Sequence, residues 1–243
     1  MEAAPDPSLV LKDRADAGRR LAEKLVSIRG ENPVVLAAHR GGTPVAFEVA
    51  RGLGAPLDLL VVREVSSPAE HGTVLAAVAE GNVRAIDRAA LEGLGYSVAD
   101  LEPEIERVLR EVERAALRYR EGRPPLEVRG RTVVLVADGI AQSVSMRAAI
   151  GAARARGARR LVVAIGVCAR PTTHEIRREC DETIVLRQPE FFLSVREWYR
   201  DFPSVTEDEV LSLLRTGQPH AATRGTGKMA AQNREGPPDA LNG

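Results

Sequence analysis

Lysine is nearly missing from this 243-residue chain. Only Lys12, Lys24 and Lys228 occur, so almost all of its positive charge is arginine. With abundant alanine, that composition suggests a GC-rich coding genome and says nothing about mechanism. Net charge is missing as well. Lys+Arg and Asp+Glu number 34 each, which removes any global attraction to nucleic acid or anionic lipid. The two cysteines, Cys168 and Cys180, have no histidine at ligand spacing beside them, so neither a metal site nor a disulfide is expected. No apolar run approaches the ~20 residues of a membrane span. The opening MEAAPDPSLV lacks the basic-then-apolar order of a signal peptide. A cytoplasmic protein with no nucleic-acid partner and no membrane is the expectation.

What is present is a globular composition, 44% apolar, long enough for one large or two small domains. Ala17, Leu21, Leu25 and Ile28 share one face of a helix over 13–28. PVVLAA (33–38) reads as a strand, and Thr43 to Leu53 as a helix closed by Gly54. LDLLVVR (57–63) reads as one strand covered on both faces. The polar stretch 64–73 reads as a mobile loop. Residues 74–86 fit two short strands about a Gly81-Asn82 turn. Ser97-x-x-Asp100 introduces a long charged helix over 100–120, broken by GRPP. VVLVA (133–137) reads as a central buried strand, followed by a helix from Ser145 to Arg156 that Gly157 stops. A strand at 159–167, a short helix near 173–180 and a strand at 182–187 follow. Thr206-x-x-Glu209 caps a last helix ending near Leu214. Residues 216–243 show no periodicity and read as a disordered tail. Strand–helix alternation predicts an α/β fold with a mainly parallel central sheet flanked by helices.

In such sheets ligands sit at the carboxyl ends of the strands, which singles out two loops. In HRGGTPVA, Gly41 and Gly42 let backbone N–H groups approach an anion. Arg40 adds positive charge, and the following helix aims its N-terminus at the same place. An ordinary tight turn with a solvent-facing arginine is the competing reading. In VADGIAQSVS, Asp138 stands where it could accept hydrogen bonds from a sugar. Gly139, Ala141, Gln142, Ser143, Val144 and Ser145 form the small polar loop that opens a helix. Asp138 as a simple turn cap is the alternative. His39 is positioned to contact a phosphate or act as a general base, although a partly exposed loop histidine is the plainer reading. His71 and His174 read as surface residues.

Several stretches together resemble the type I phosphoribosyltransferase family, over roughly residues 10–215. They are DRADAGRRLAEKL, VVLAAHRGGTPVAFEVARGLGAPLDLLVVR, VAEGNVRAID, RYREGRPPLEVRGRTVVLVADG and FFLSVREWYRDFPSVTEDEV. The last is similar to the terminal part of a poorly characterised bacterial branch. The resemblance implies one domain over 1–215, with a hood at 188–215 and a flexible lid at 64–73. It implies transfer of a phosphoribosyl group from 5-phosphoribosyl 1-pyrophosphate, carried with magnesium, to a base-like acceptor. Its partner is then a phosphorylated sugar or nucleotide. Arg40, Gly41 and Gly42 would hold pyrophosphate, Asp138 the ribose hydroxyls, and Ala141 to Ser145 the 5-phosphate. Arg40 and Asp138 are the catalytic candidates, acting by charge stabilisation. His39, Gly41, Gly42, Gly139, Ala141, Gln142, Ser143, Val144 and Ser145 are the binding candidates. No residues are assigned to a metal.

The sequence departs from that family's pattern at several positions. Ala137 stands where a first acid is usual, Gln142 where threonine is, and Ser143 where glycine is. Glu64 replaces a lysine common in this branch, and Ala38-His39 an apolar-proline pair. The changes at Ala137, Gln142, Ser143 and Glu64 all work against tight binding of phosphoribosyl pyrophosphate. Phe191, Phe192, Trp198 and Tyr199 gather much of the scarce aromatic content; core packing is the plainer reading, a stacking platform for a planar acceptor the other. Three readings stay open: an active transferase, a catalytically silent relative binding a nucleotide, phosphate or protein, and a structural subunit associating through 100–120. The oligomeric state is open, with a homodimer as the candidate assembly.

Overall fold

The computed structural model describes residues 10–67 and 73–217. The expected tail beyond Gly217 and the middle of the expected lid, with His71, lie outside them. Chain order is α1 (Arg14–Lys24), β1 (Val34–Ala38), α2 (Thr43–Leu53), β2 (Leu57–Leu60), β3 (Val62–Ser66), β4 (Val74–Ala79) and β5 (Val83–Ile86). Then come α3 (Arg88–Gly93), α4 (Val98–Arg120), β6 (Thr132–Ile140), α5 (Val144–Ala155), β7 (Arg160–Cys168), α6 (Arg170–Arg177), β8 (Glu182–Arg187) and α7 (Glu207–Thr216). Two 3₁₀ turns, Val26–Glu31 and Val195–Trp198, complete the set.

Five strands form a sheet of order β2-β1-β6-β7-β8 in which every pairing is parallel. β6 lies at its centre because Val133 to Ala137 are apolar and at most 1% exposed, so both faces can be covered. One apolar cluster packs α1 and α2 against one face, and a second packs α5 against the other. β3, β4 and β5 form a separate antiparallel sheet under α5. Gly81 and Asn82 make its hairpin turn, both with positive φ.

The run 57–63 is two strands, not one. β2 pairs with β1, and β3 pairs with β4 in the other sheet. The switch falls at Val61, whose N–H donates to the Glu80 carboxylate at 2.7 Å instead of to a sheet carbonyl. Arg120, at the end of α4, anchors the junction. It donates to Asp58 in β2 at 3.0 Å, to Glu80 at 2.8 Å, and to the Leu59 carbonyl at 2.8 Å. A continuous apolar run carries no mark of such a crossing. Two other expectations shift. Residues 64–66 of the expected lid are strand, and a short helix, α3, capped by Asp87, precedes α4. Both cysteines are free thiols, and burial pushes Cys168 up to about 11.

Candidate active site

β1 and β6 are adjacent and parallel, so the loops after them leave the same end of the sheet. They touch. A Cβ on Gly41 would lie 2.8 Å from Asp138 Oδ2, and one on Gly42 would lie 2.9 Å from the carbonyls of Ala38 and Val136. Only residues without a side chain let the β1–α2 loop settle on the end of β6 at this distance.

A cleft of about 320 Å³ opens there, lined by His39, Glu64, Asp138, Gly139, Gln142 and Ser145, with Val74, Ile140, Ala141 and Met146 completing the wall. Six of the sequence-predicted residues thus share one pocket. Gly41 adjoins it through Asp138. Three others are placed elsewhere. Ser143 is buried and its hydroxyl donates to Glu175 of α6, while Val144 packs in the apolar cluster of the α5 face. Arg40 faces away from the cleft, into a groove shared with Arg63. Ala137 is likewise buried, in the same apolar cluster as Val144.

The electrostatics of the cleft are set by two carboxylates. Glu64 accepts a hydrogen bond from Ser145 Oγ at 2.5 Å, so the last hydroxyl of the loop is already engaged. Asp138 is held at three points. Its Oδ2 accepts from Arg14 Nε at 2.9 Å, its Oδ1 from the Gly139 N–H at 3.0 Å, and its carbonyl from the Tyr199 hydroxyl at 2.6 Å. Burial pushes the Tyr199 phenol well up, so that hydroxyl remains a donor. His39 is half-buried and takes a positive φ of 72°, unusual for a residue with a side chain. Burial lowers its pKa from 6.5, and Arg63 adds to that; Glu64 and Asp138 oppose it without reversing it. His39 is therefore neutral at pH 7, able both to donate and to accept a hydrogen bond. Among the described residues no group of three or more His, Cys, Asp or Glu could hold a metal ion.

Arg14 and the contact role of Glu64 were not legible in the sequence. Arg14 stands 124 residues from its partner Asp138, and no local pattern marks it. Of the aromatic segment, Trp198 and Tyr199 are buried in the core and Phe191 is exposed, so core packing holds for that pair.

A family model described as the phosphoribosyl transferase domain matches residues 10–201. The chain belongs to that family. The Mycobacterium tuberculosis proteins MT0597 and Rv0571c, both provisionally named phosphoribosyl transferases, are 38% identical over 202 residues, 83% of this chain. The chain spans 46% of their length. The crystal structure of TT1426 from Thermus thermophilus is 38% identical and superposes with a TM-score of 0.73, covering 86% of this chain and 100% of that one. No helix among the described residues is long and apolar enough to cross a membrane.

Proposed function

We propose that this chain transfers a phosphoribosyl group from 5-phosphoribosyl 1-pyrophosphate to a base-like acceptor, in the cytoplasm, as part of nucleotide metabolism. The observation that carries this reading is the opposite character of the two sides of the His39–Gly42 loop. On one side is a cleft with two carboxylates and a neutral histidine, suited to hydroxyl groups. On the other stand Arg40 and Arg63, suited to a diphosphate. A pentose joined to a diphosphate has that polarity.

In this reading the ribose hydroxyls donate to Asp138 and Glu64. Arg14 and Gly139 hold the Asp138 carboxylate in place. Charge building up on the departing pyrophosphate is stabilised by Arg40 and by backbone N–H groups at the start of α2. His39 is placed to take a proton from the acceptor. Among the described residues no cluster of carboxylates or histidines forms a magnesium site, and Asp138 is paired with Arg14. Magnesium enters as part of the substrate, on its diphosphate. The test is pyrophosphate release from the magnesium–substrate complex with a panel of nitrogenous bases, beside calorimetric titration. Release with one base class supports transfer. Saturable binding with no release from any base makes the chain a silent relative.

A further inference from the structure

The loop between β6 and α5 is gripped from the side by α6. Thr172 Oγ1 donates to the Ala141 carbonyl at 2.9 Å, and the Glu175 carboxylate accepts from the Ser143 hydroxyl. Thr172 and Glu175 stand three residues apart, so one face of α6 makes both contacts. Ile176, fully buried in the same apolar cluster as Val144, anchors the helix. The grip changes how α5 begins. In α1, α3, α4 and α7 the N-cap is Asp13, Asp87, Ser97 or Thr206, each with extended backbone and each accepting an N–H of the first turn. Ser143 is a residue of the same kind at the same position, yet its backbone is helical (φ −72°, ψ −23°) and its side chain caps nothing. A serine N-cap ordinarily accepts from the second or third N–H of its helix. Here the hydroxyl is turned to Glu175 instead. The N–H groups of the first turn of α5 have no acceptor within the helix, and Ser145 and Met146 of that turn line the cleft.

We propose that Glu175 is a positioning residue for the candidate site: by holding Ser143 off the start of α5, it keeps those N–H groups open to the 5-phosphate of a phosphoribosyl ligand. That role deepens the transfer reading and rests on it for the identity of the ligand. Glu175 does not line the cleft and acts only through Ser143. Without its carboxylate, Ser143 is free to relax to the extended backbone of the other caps and to take the N–H groups for itself. A residue that merely tied α6 to the loop would differ in one respect. Its loss could not be repaired by removing the serine hydroxyl as well.

The experiment is calorimetric titration of the full chain at one ionic strength. Ribose 5-phosphate is the probe, and inorganic pyrophosphate, which lacks the sugar phosphate, is the comparison. Glu175→Ala is expected to weaken ribose 5-phosphate about tenfold, the loss of one charged hydrogen bond, and to leave pyrophosphate unchanged. Glu175→Gln keeps an acceptor for Ser143 and removes a negative charge, so it should bind ribose 5-phosphate at least as well as wild type. Glu175→Ala combined with Ser143→Ala should recover most of the lost affinity, because alanine cannot cap. A double variant no tighter than Glu175→Ala, a Glu175→Gln as weak as Glu175→Ala, or a wild type that binds no ribose 5-phosphate overturns the role. So does a Glu175→Ala in which pyrophosphate weakens in step with ribose 5-phosphate, the mark of a damaged fold. Transfer is tested apart. If the affinities follow the expected pattern and no base releases pyrophosphate from the magnesium–phosphoribosyl pyrophosphate complex, transfer fails and the role stands. If release occurs with the same KM in wild type and Glu175→Ala, transfer stands and the role fails.

Discussion

Gly42 and Gly41 differ in what surrounds them, and so in what alanine would do at each. The Cβ of Gly42→Ala would meet two main-chain carbonyls at 2.9 Å, and main chain inside a parallel sheet cannot step aside. A loss of about 1–3 kcal/mol is expected, as for other overpacked interiors. The Cβ of Gly41→Ala would meet only the end of the Asp138 side chain. That variant should melt closer to wild type and lose affinity for the phosphoribosyl ligand, because Asp138 must turn from Arg14 to admit it. Melting curves with and without ligand separate the two. His39 gives a pH-dependent signature. Its folded pKa lies below 6.5, so the folded state disfavours the protonated ring relative to the unfolded chain. The resulting stability is full above the unfolded value and is lost as pH falls below it. Denaturant midpoints should fall between about pH 6.5 and pH 5. They should fall less in His39→Asn, which tolerates the positive φ. An equal fall in both would place the titration elsewhere. At this scale the site was half legible. Glycine, histidine and aspartate at strand ends announce themselves, because a strand end is a local pattern. Arg14 and Glu64 act through partners 124 and 81 residues away, and nothing near either residue records that.

The junction between β2 and β3 depends on one side chain of α4. Arg120 is 6% exposed and joins Asp58, Glu80 and the Leu59 carbonyl. Arg120→Ala would strip Asp58 and Glu80 of their hydrogen-bonded cation, leaving only the more distant charge of Arg156, and breaking a buried pair typically costs about 3–5 kcal/mol. In a domain of this size that corresponds to a fall in Tm of roughly 6–20 °C. Arg107→Ala on the same helix breaks only surface pairs and should change Tm by a degree or two at most. Differential scanning calorimetry of the two variants checks the contrast. The same junction shows why most elements could be read from sequence and this one could not. Helix α2 carries its own stop in Gly54, and α4 its own start in the reciprocal Ser97–Asp100 cap. β8 carries its own apolar pattern. These signals are complete within a few residues. The change of sheet at Val61 is written in Glu80, 19 residues on, and in Arg120, at the far end of α4. Propensity therefore reads 57–63 as one strand.

At the scale of the whole molecule, the two ends of the described chain are tied together over the candidate site. The N–H of Leu11 donates to the Trp198 carbonyl at 2.9 Å, and the N–H of Arg200 returns to Leu11 at 2.9 Å. Arg14 completes the strap. It pairs with Asp138, donates to the Pro203 carbonyl at 2.6 Å, and lies 3.6 Å from the centre of the Phe202 ring. The segment around Tyr199 and Pro203 is thus held to the central strand by the Tyr199 hydroxyl and by a guanidinium supplied from the opposite end of the chain. Arg14→Ala removes that link and leaves Asp138, whose side chain is only 13% exposed, as an uncompensated charge. A loss of about 3 kcal/mol is expected, a fall in Tm of roughly 6–12 °C. Arg14→Lys should recover part of it, because an ammonium can reach Asp138 but cannot also cover the ring and meet Pro203 with a planar fork. The deciding measurement is a double-mutant cycle with Asp138→Asn. If the ion pair carries the strap, Arg14→Ala costs much less once Asp138 is already neutral, and the coupling exceeds about 1 kcal/mol. If the two changes add, the strap is held by Phe202, the Tyr199 hydroxyl and the main-chain bonds. Asp138 is then free to change partners when a sugar enters the cleft.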